Sequence, residues 1–480
     1  MAVLADHSTD GLTVFRAERW GTGAQGTHCR EGEVGHNAFL GGTMGDTPGS
    51  PTISTKLQRI AKQAECYPEM VFNNLYHLID CDLLREAYRR TRKDVAPGVD
   101  KVTAKVYAQN LDENLRDLHE RLCAHRYVAP PVERVWIDKD GGKKRPIGKP
   151  TFEDKIVQRA CVMLMSPIYN HDFYDFSHGF REGHSQHKAL HELMEWCKKR
   201  DINWIVDADV SGFFDNLDHG HLREFIAQRV SDGGIKRLIG KWLNAGVMDG
   251  ETLTYPDKGT PQGGVISPLL ANIFLHHVLD DWFVKDVQPR MRGRCFMVRF
   301  ADDFIIGFEH EWEARKVMDV LPKRFGRFGL TIHPDKTTLV QFRKPPSQLK
   351  KAKFNGTFDF LGFTHYWAKA REGYWVIKRK TMGKRACRFV KAVRQWCREN
   401  RHLPLRDQHR ALSVKLRGHY QYYGVRHNSM ALDKVLYEVR RSWRFWLSRR
   451  SHTGKIIWDN FLKTIDVQMP LPRPRIIHNI

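Results

Sequence analysis

At 480 residues and 41% hydrophobic content, the chain has material for real cores yet is too long for one compact unit, so two or three subdomains are expected. Lys and Arg number 78 against 55 Asp and Glu, a formal charge of +23 that points to a polyanionic partner, nucleic acid before an anionic membrane surface. No stretch approaches the roughly 18 apolar residues of a spanning helix, which excludes an integral membrane protein, and Met1-Ala-Val-Leu-Ala-Asp-His7 does not read as a secretory signal, so a cytoplasmic address is expected.

Residues 1–55 are rich in Gly, Thr, Ser and His without a sustained apolar period, which reads as a mobile extension. From Leu57 to about Leu122 the apolar spacing turns helical, broken by a turn at Ala96-Pro-Gly-Val-Asp100. Val132-Glu-Arg-Val-Trp-Ile-Asp138 and the basic Lys139-Asp-Gly-Gly-Lys-Lys-Arg145 predict a hairpin turning at Asp-Gly-Gly. Between Trp204 and Phe363, β-prone runs such as Trp204-Ile-Val-Asp-Ala-Asp-Val210 and Phe296-Met-Val-Arg-Phe300 alternate with helical stretches, which suits an α+β domain on an antiparallel sheet. Beyond Lys378 the chain becomes basic and helical until the closely spaced prolines at 470–474. The nine cysteines stand singly with no Cys-x-x-Cys, so neither a disulfide framework nor a zinc ribbon is expected.

The strongest chemical signal is Phe300-Ala-Asp-Asp303, two adjacent acids between apolar β-prone runs, which predicts strand, tight turn, strand. Alone, such a pair also suits a solvated turn. Two carboxylates at a hairpin tip repel each other and raise their own pKa values unless a cation sits between them. A metal pair needs a third acid, and Asp209, at the end of the run beginning at Trp204, offers itself.

The segments Arg145-Pro-Ile-Gly-Lys-Pro-Thr-Phe-Glu-Asp-Lys-Ile-Val-Gln158, Ser177-His-Gly-Phe-Arg181, Asp209-Val-Ser-Gly-Phe-Phe-Asp215, Gly259-Thr-Pro-Gln-Gly-Gly264, Phe300-Ala-Asp-Asp303 and Phe360-Leu-Gly-Phe363 resemble, in order, the motifs of group II intron-encoded reverse transcriptases, or maturases. The resemblance covers roughly residues 57 to 475 and implies a right-hand polymerase: fingers and palm over 56–370, then a helical thumb and maturase (X) domain over 371–480 with no endonuclease domain. It implies RNA-directed DNA synthesis by two Mg2+ ions, replaceable by Mn2+, held by Asp209, Asp302 and Asp303. Lys139 and Arg145 resemble the cations that hold the triphosphate, Gln262 the glutamine lining the nucleotide site, and Phe214 the ring that excludes a ribose 2′ hydroxyl. Phe213 is the alternative register for that ring, and Gly263 and Gly264 would let backbone approach substrate. Arg181 either contacts template or nucleotide or braces the palm. Phe300 stands where the family more often has Tyr, which removes a donor but no metal ligand.

The run Lys378 to Arg398 sets cations, among them Lys378, Arg379, Lys384, Arg385, Arg388 and Lys391, against an apolar stripe through Ala386, Phe389, Val390 and Val393. Such a helix would grip an RNA/DNA duplex by its phosphates. Farther on, Leu416-Arg-Gly-His-Tyr-Gln-Tyr-Tyr423 and Val439-Arg-Arg-Ser-Trp-Arg-Phe-Trp-Leu-Ser-Arg-Arg450 interleave cations with aromatics in a manner similar to the X domain. The implied partners are an RNA template, intron RNA, a DNA primer and target, and dNTPs, in the bacterial cytosol or nucleoid. The expected function is reverse transcription with assistance to splicing and mobility. The competing readings are a splicing-only RNA-binding cofactor and a domesticated relative serving repair or defence.

Overall fold

The computed structural model describes residues 52–138, 144–199, 201–255, 258–260, 263–348, 356–450 and 456–480. The expected extension therefore lies outside the described residues up to position 51, as do Lys139 and Gln262. Helix α1 (Ile53–Cys66) begins at Thr52, whose hydroxyl accepts the Thr55 amide, and α2 (Cys81–Arg90) begins at Asp80, whose carboxylate accepts that of Leu83. A single turn, α3 (Ala104–Tyr107), precedes α4 (Leu111–Cys123). The expected hairpin follows as β1 (Val132–Asp138) and β2 (Lys144–Lys149), antiparallel with Arg145 opposite Ile137.

Helix α5 (Phe152–Asp172) runs through the largest core and buries thirteen of its residues, so its sequence lacks a polar face. After α6 (Gln186–Lys199) come β3 (Trp204–Ala208) and the short β4 (Val210–Ser211), then α7 (His219–Ala227), α8 (Gly233–Leu243), β5 (Val247–Asp249) and β6 (Thr252–Thr254). Helix α9 (Ser267–Leu275) continues through π turns to Val287 and leads into β7 (Cys295–Phe300) and β8 (Asp303–Phe308). Then follow α10 (Glu311–Gly326), β9 (Thr331–Ile332), β10 (Thr338–Gln341), β11 (Phe358–Phe360), β12 (Phe363–Lys369) and β13 (Trp375–Thr381). Helices α11 (Gly383–Glu399), α12 (Leu405–Tyr423) and α13 (Ser429–Leu447) end the regular structure apart from short helical turns over 458–466.

The central sheet has the order β10-β3-β8-β7, antiparallel throughout, and both its faces are covered. Val206, Ala208, Met297, Phe304 and Ile306 enter the core built with α5, α9 and α10. Ile205, Phe296, Val298, Phe300 and Ile305 enter a second core with α6 and the β11-β12-β13 sheet. Double burial explains why these strands read as unbroken apolar runs rather than alternating ones. A third core is formed by α11, α12 and α13. The mixture of helices and antiparallel sheets is the expected α+β class.

Two expectations are corrected here. The strand β13 extends the third sheet to Thr381, so the helical part begins at Gly383 and not at 371. Lys378 and Arg379 accordingly lie in that strand rather than on a basic helix: their alternation puts Arg379 inside, where its guanidinium donates to the Leu190 carbonyl at 3.3 Å and burial pushes its pKa down to about 10. Lys378 is half-buried and donates to the Lys369 carbonyl at 2.9 Å. Among the described residues no helix is long and apolar enough to cross a membrane.

A fully buried ion pair ties helix to sheet. Arg299 of β7 is sequestered from water and forks onto Asp280, with Nε to Oδ1 at 2.8 Å and Nη2 to Oδ2 at 2.5 Å. Its remaining nitrogen reaches the Asn272 side chain and the Ala301 carbonyl, both at 3.0 Å. Removing one partner would strand the other charge in a medium that cannot solvate it. Asp280→Ala is therefore expected to lower the unfolding free energy by about 3–5 kcal/mol, measured by urea titration; a loss under about 1 kcal/mol would show that water reaches Arg299.

Candidate active site

The β3–β8 register pairs Ala208 with Phe304, and its continuation sets Asp209 opposite Asp303. Ala301 and Asp302 form the two-residue turn between β7 and β8, with Ala301 in the left-handed region at φ +56°. That conformation disfavours a residue with a Cβ, and it is held from two directions. Arg299 grips the Ala301 carbonyl, and Gly179 packs so closely that a Cβ there would lie 2.3 Å from the Ala301 nitrogen. The Gly179 carbonyl is in turn held by Asn272 at 2.6 Å, on the helix that supplies Asp280. The glycine in Ser177-His-Gly-Phe-Arg181 thus has a steric cause in this fold.

Carboxylates crowd this end of the sheet. Burial, then the charges of Asp302 and Asp209, push the Asp303 carboxyl up to about 7, against the opposing pull of Arg385 and Lys336. Asp303 keeps much of its surface open at the strand end, so water screens part of that crowding. Asp207 sits two residues before Asp209 on the same strand face and is also pushed up to about 7, by burial and then by Asp303, Asp359 and Asp209. Sequence reasoning missed Asp207, although the alternating Asp207-Ala-Asp209 spacing was a signal that both acids share a face.

It also missed Lys336. The loop between β9 and β10 is clamped alongside Asp209 because β4 pairs with β9 and β3 with β10 on either side of it. His333 donates its amide to the Asp209 carbonyl at 2.8 Å, and the Lys336 ammonium forms an ion pair with the Asp209 carboxylate. As the side chains stand, no three His, Cys, Asp or Glu groups among the described residues are gathered tightly enough to hold an ion. Lys336 supplies the counter-charge at Asp209. The donor set is nevertheless all oxygen and mutually repelling, which is what a hard divalent cation requires, so Asp209, Asp302 and Asp303 fit a magnesium site in chemistry.

Of the two neighbouring rings, Phe213 is buried in the core and Phe214 is half-buried. Phe214 is therefore the ring left facing outward. Its carbonyl accepts the Thr260 amide at 2.8 Å, which fastens the start of the Gly259–Ile266 loop beneath it. The loop's far end is held by Gln158 of α5, whose side-chain oxygen accepts the Val265 and Ile266 amides at 2.7 and 3.2 Å. Gln158 is itself oriented by buried Asp154, to which it donates at 2.8 Å. Gly263, at φ +115°, packs so that a Cβ would meet the Gly148 carbonyl at 2.4 Å. Its close approach to the backbone of β2 gives that glycine a steric reason of its own. Arg145, exposed on β2, lies three positions from this contact.

Arg181 takes the bracing role, and its assignment to nucleic acid is corrected. Its guanidinium donates to the Tyr174 and Ser177 carbonyls, each at 2.6 Å, and to those of Asn170 and Phe173 at 3.0 and 3.2 Å, capping the end of α5. Lys384, Arg385, Arg388 and Lys391 lie on α11, Lys384 and Lys391 exposed and the two arginines half-buried. The charge of Arg385 acts on Asp303, so the first turn of α11 is near the acidic tip.

Residues 137–365 match the family model for reverse transcriptase (RNA-dependent DNA polymerase). Protein YkfC of Escherichia coli K12 is 36% identical over 286 residues, spanning 53% of this chain and 75% of that protein. Group II intron-encoded protein LtrA of Lactococcus lactis subsp. cremoris is 35% identical over 245 residues, or 50% of this chain and 40% of LtrA. A putative COX1/OXI3 intron 2 protein of Saccharomyces cerevisiae is 34% identical over 385 residues, 68% of this chain and 42% of that protein. The chain thus spans less than half the length of these two intron-encoded relatives.

Asp207 offers a test of the crowding. Its pKa in the folded chain is above the ~3.9 of an unfolded Asp, so it costs nothing below about pH 4, and the cost grows as pH rises towards 7. Asp207→Asn is expected to stabilise the metal-free protein at pH 8 by about 1 kcal/mol, discounted for partial exposure, with no gain at pH 4. Equal urea midpoints for both proteins at pH 8 would mean that the acids do not repel.

Proposed function

The chain belongs to the group II intron-encoded reverse transcriptase and maturase family, and from that premise we propose that it is itself an RNA-directed DNA polymerase that also binds intron RNA. The observation that carries the reading is the crowding of Asp209, Asp302 and Asp303 at one end of a buried antiparallel sheet. A solvated turn has no reason to gather three mutually repelling acids at one end of a sheet. A site for divalent ions does.

In this reading the β10-β3-β8-β7 sheet is the palm, the β1–β2 hairpin with its neighbouring helices the fingers, and α11 to α13 the thumb and X domain. Asp209, Asp302 and Asp303 would hold two magnesium ions. Bound there, the ions supply charge neutralisation at the triphosphate and acidify the primer 3′ hydroxyl. That hydroxyl oxygen attacks the α-phosphorus, a new ester bond forms, and the bond to the β-phosphate oxygen breaks with pyrophosphate leaving. Arg145 and Lys139 bind the triphosphate oxygens. Phe214 lies beneath the sugar, where ring bulk leaves no room for a 2′ hydroxyl, while Gln262 lines the nucleotide site. Lys384, Arg385, Arg388 and Lys391 hold the template–primer duplex by its phosphates. Lys336, paired with Asp209 here, would have to give way for a divalent ion to be held at that carboxylate.

Asp302→Ala is expected to lower primer extension on an RNA template by on the order of 10³-fold, as several kcal/mol of charge stabilisation is lost. Template affinity should stay within about twofold, because the phosphate contacts that dominate it are elsewhere. Undiminished extension would refute the metal assignment. Phe214→Ala is expected to admit ribonucleotides, read as extension with rNTPs alone. If sugar discrimination is unchanged, the ring under the sugar is a different one.

A further inference from the structure

Along the outer edge of β7 the chain holds a bulky residue in a conformation that suits glycine. Ser177 pairs with Arg299 as a parallel bridge, the His178 amide donating to the Arg299 carbonyl at 2.8 Å and the Arg299 amide to that of Phe176 at 2.9 Å. This segment therefore runs beside the last strand of the central sheet and reaches the acidic tip. Phe180 follows at φ +56°. A large side chain enters that region only where its surroundings dictate it, and here they do so from both directions. Before it, Gly179 is pressed against Ala301 and gripped by Asn272, and the buried His178 imidazole stands 2.9 Å from the Glu192 carboxylate. After it, Arg181 is fastened to four carbonyls. Glycine would meet this geometry without strain. The Phe180 ring is 44% exposed, with its centroid 6.3 Å from that of Phe300, so burial offsets only part of that strain. A large apolar surface is thereby held in water beside the turn that carries Asp302.

The acids lie between two outward rings. Phe214 comes from the segment that follows β3 and β4, on the Asp209 side, whereas Phe180 stands beyond β8 and β7, on the Asp302 side. Nucleotide addition must place two partners on either side of the reacting phosphorus, the incoming nucleotide and the last nucleotide of the primer. With Phe214 beneath the sugar of the first, the second falls on the side of Phe180. An RNA/DNA hybrid approaches A form, whose minor groove is wide and shallow, so its sugars are open to a flat apolar ring whatever the sequence.

We propose that Phe180 is a substrate-contacting residue whose ring packs against the sugars of the primer's last nucleotides and holds the 3′ hydroxyl beside the acids. The proposal rests on the polymerase reading above and deepens it: one ring selects the sugar that enters, and a second steadies the end that receives it. The backbone strain at Phe180 is retained because a glycine there would leave the primer end without its apolar contact.

The test uses the full chain with a recessed DNA primer on an RNA template. Phe180→Ala and Phe180→Gly both remove the ring, but only the glycine relieves the backbone, so Phe180→Gly is expected to unfold at a higher urea concentration than Phe180→Ala. Both are expected to bind primer–template about fivefold more weakly than the wild type and to lose extension in the same measure. The KM for dNTP should stay within about twofold, because that site lies across the acids. Phe180→Tyr is expected to restore binding. A Phe180→Ala variant that binds as the wild type does would overturn the proposal. So would wild-type binding by Phe180→Gly alone, because the backbone and not the ring would then carry the effect. With p-benzoylphenylalanine in place of Phe180, irradiation is expected to attach the protein to the terminal nucleotides of the primer; attachment to the template strand alone, or to neither strand, would also overturn it. Absence of extension by the wild type would count against the polymerase reading instead, and the binding and cross-linking measurements, which need no nucleotide addition, would still decide this one.

Discussion

Arg299 and Asp280 face each other without access to water, and the arrangement of the acidic tip depends on that. A lone guanidinium in this position would be intolerable, so helix and strand must meet where the fork fits the carboxylate. Once they do, the nitrogen left over has two acceptors, the Asn272 side chain and the carbonyl of Ala301 in the turn. The same helix that neutralises the arginine thereby sets the height of the turn, and Asn272 adds a grip on Gly179 beneath it. A left-handed alanine, a glycine with no space for a Cβ and a buried ion pair are one device for keeping a strained turn in place.

Rigidity of this kind is what a charged tip needs. Asp207, Asp209, Asp302 and Asp303 repel one another, and a compliant hairpin would relax by splaying. Double burial of the central sheet denies that escape, since β3 and β8 carry apolar residues into a core on each face. Lys336 relieves part of the repulsion from a loop tied by ladders on both sides of Asp209. On the proposed reading, a ligand of opposite charge would relieve the rest of that repulsion.

The positive charge of the chain divides into two populations with different work. Arg181, Arg299 and Arg379 are directed inward and donate to carbonyls or a carboxylate, so they brace helix ends and strands. The exposed cations of α11, Lys384 and Lys391 among them, stand where polyanions can reach them. Net charge alone does not distinguish these classes, because a guanidinium contributes the same +1 whether it caps a helix or meets a phosphate.

Much was legible in the order of residues. The Phe300-Ala-Asp-Asp303 hairpin follows from β-prone runs flanking a two-residue turn, the β1–β2 hairpin from its alternation, and the α+β class from the mixture of periods; all are local properties that neighbouring residues dictate. Tertiary structure alone decided which of Phe213 and Phe214 turns into the core, because adjacent residues in a tight turn have no period to distinguish them. It alone revealed Lys336 beside Asp209, 127 positions away, and turned Arg181 and Arg379 from candidate nucleic-acid contacts into internal braces. A cation's type is written in the sequence. Its partner depends on which distant carbonyl, carboxylate or ring the fold brings within 3 to 6 Å, and no local pattern encodes that distance.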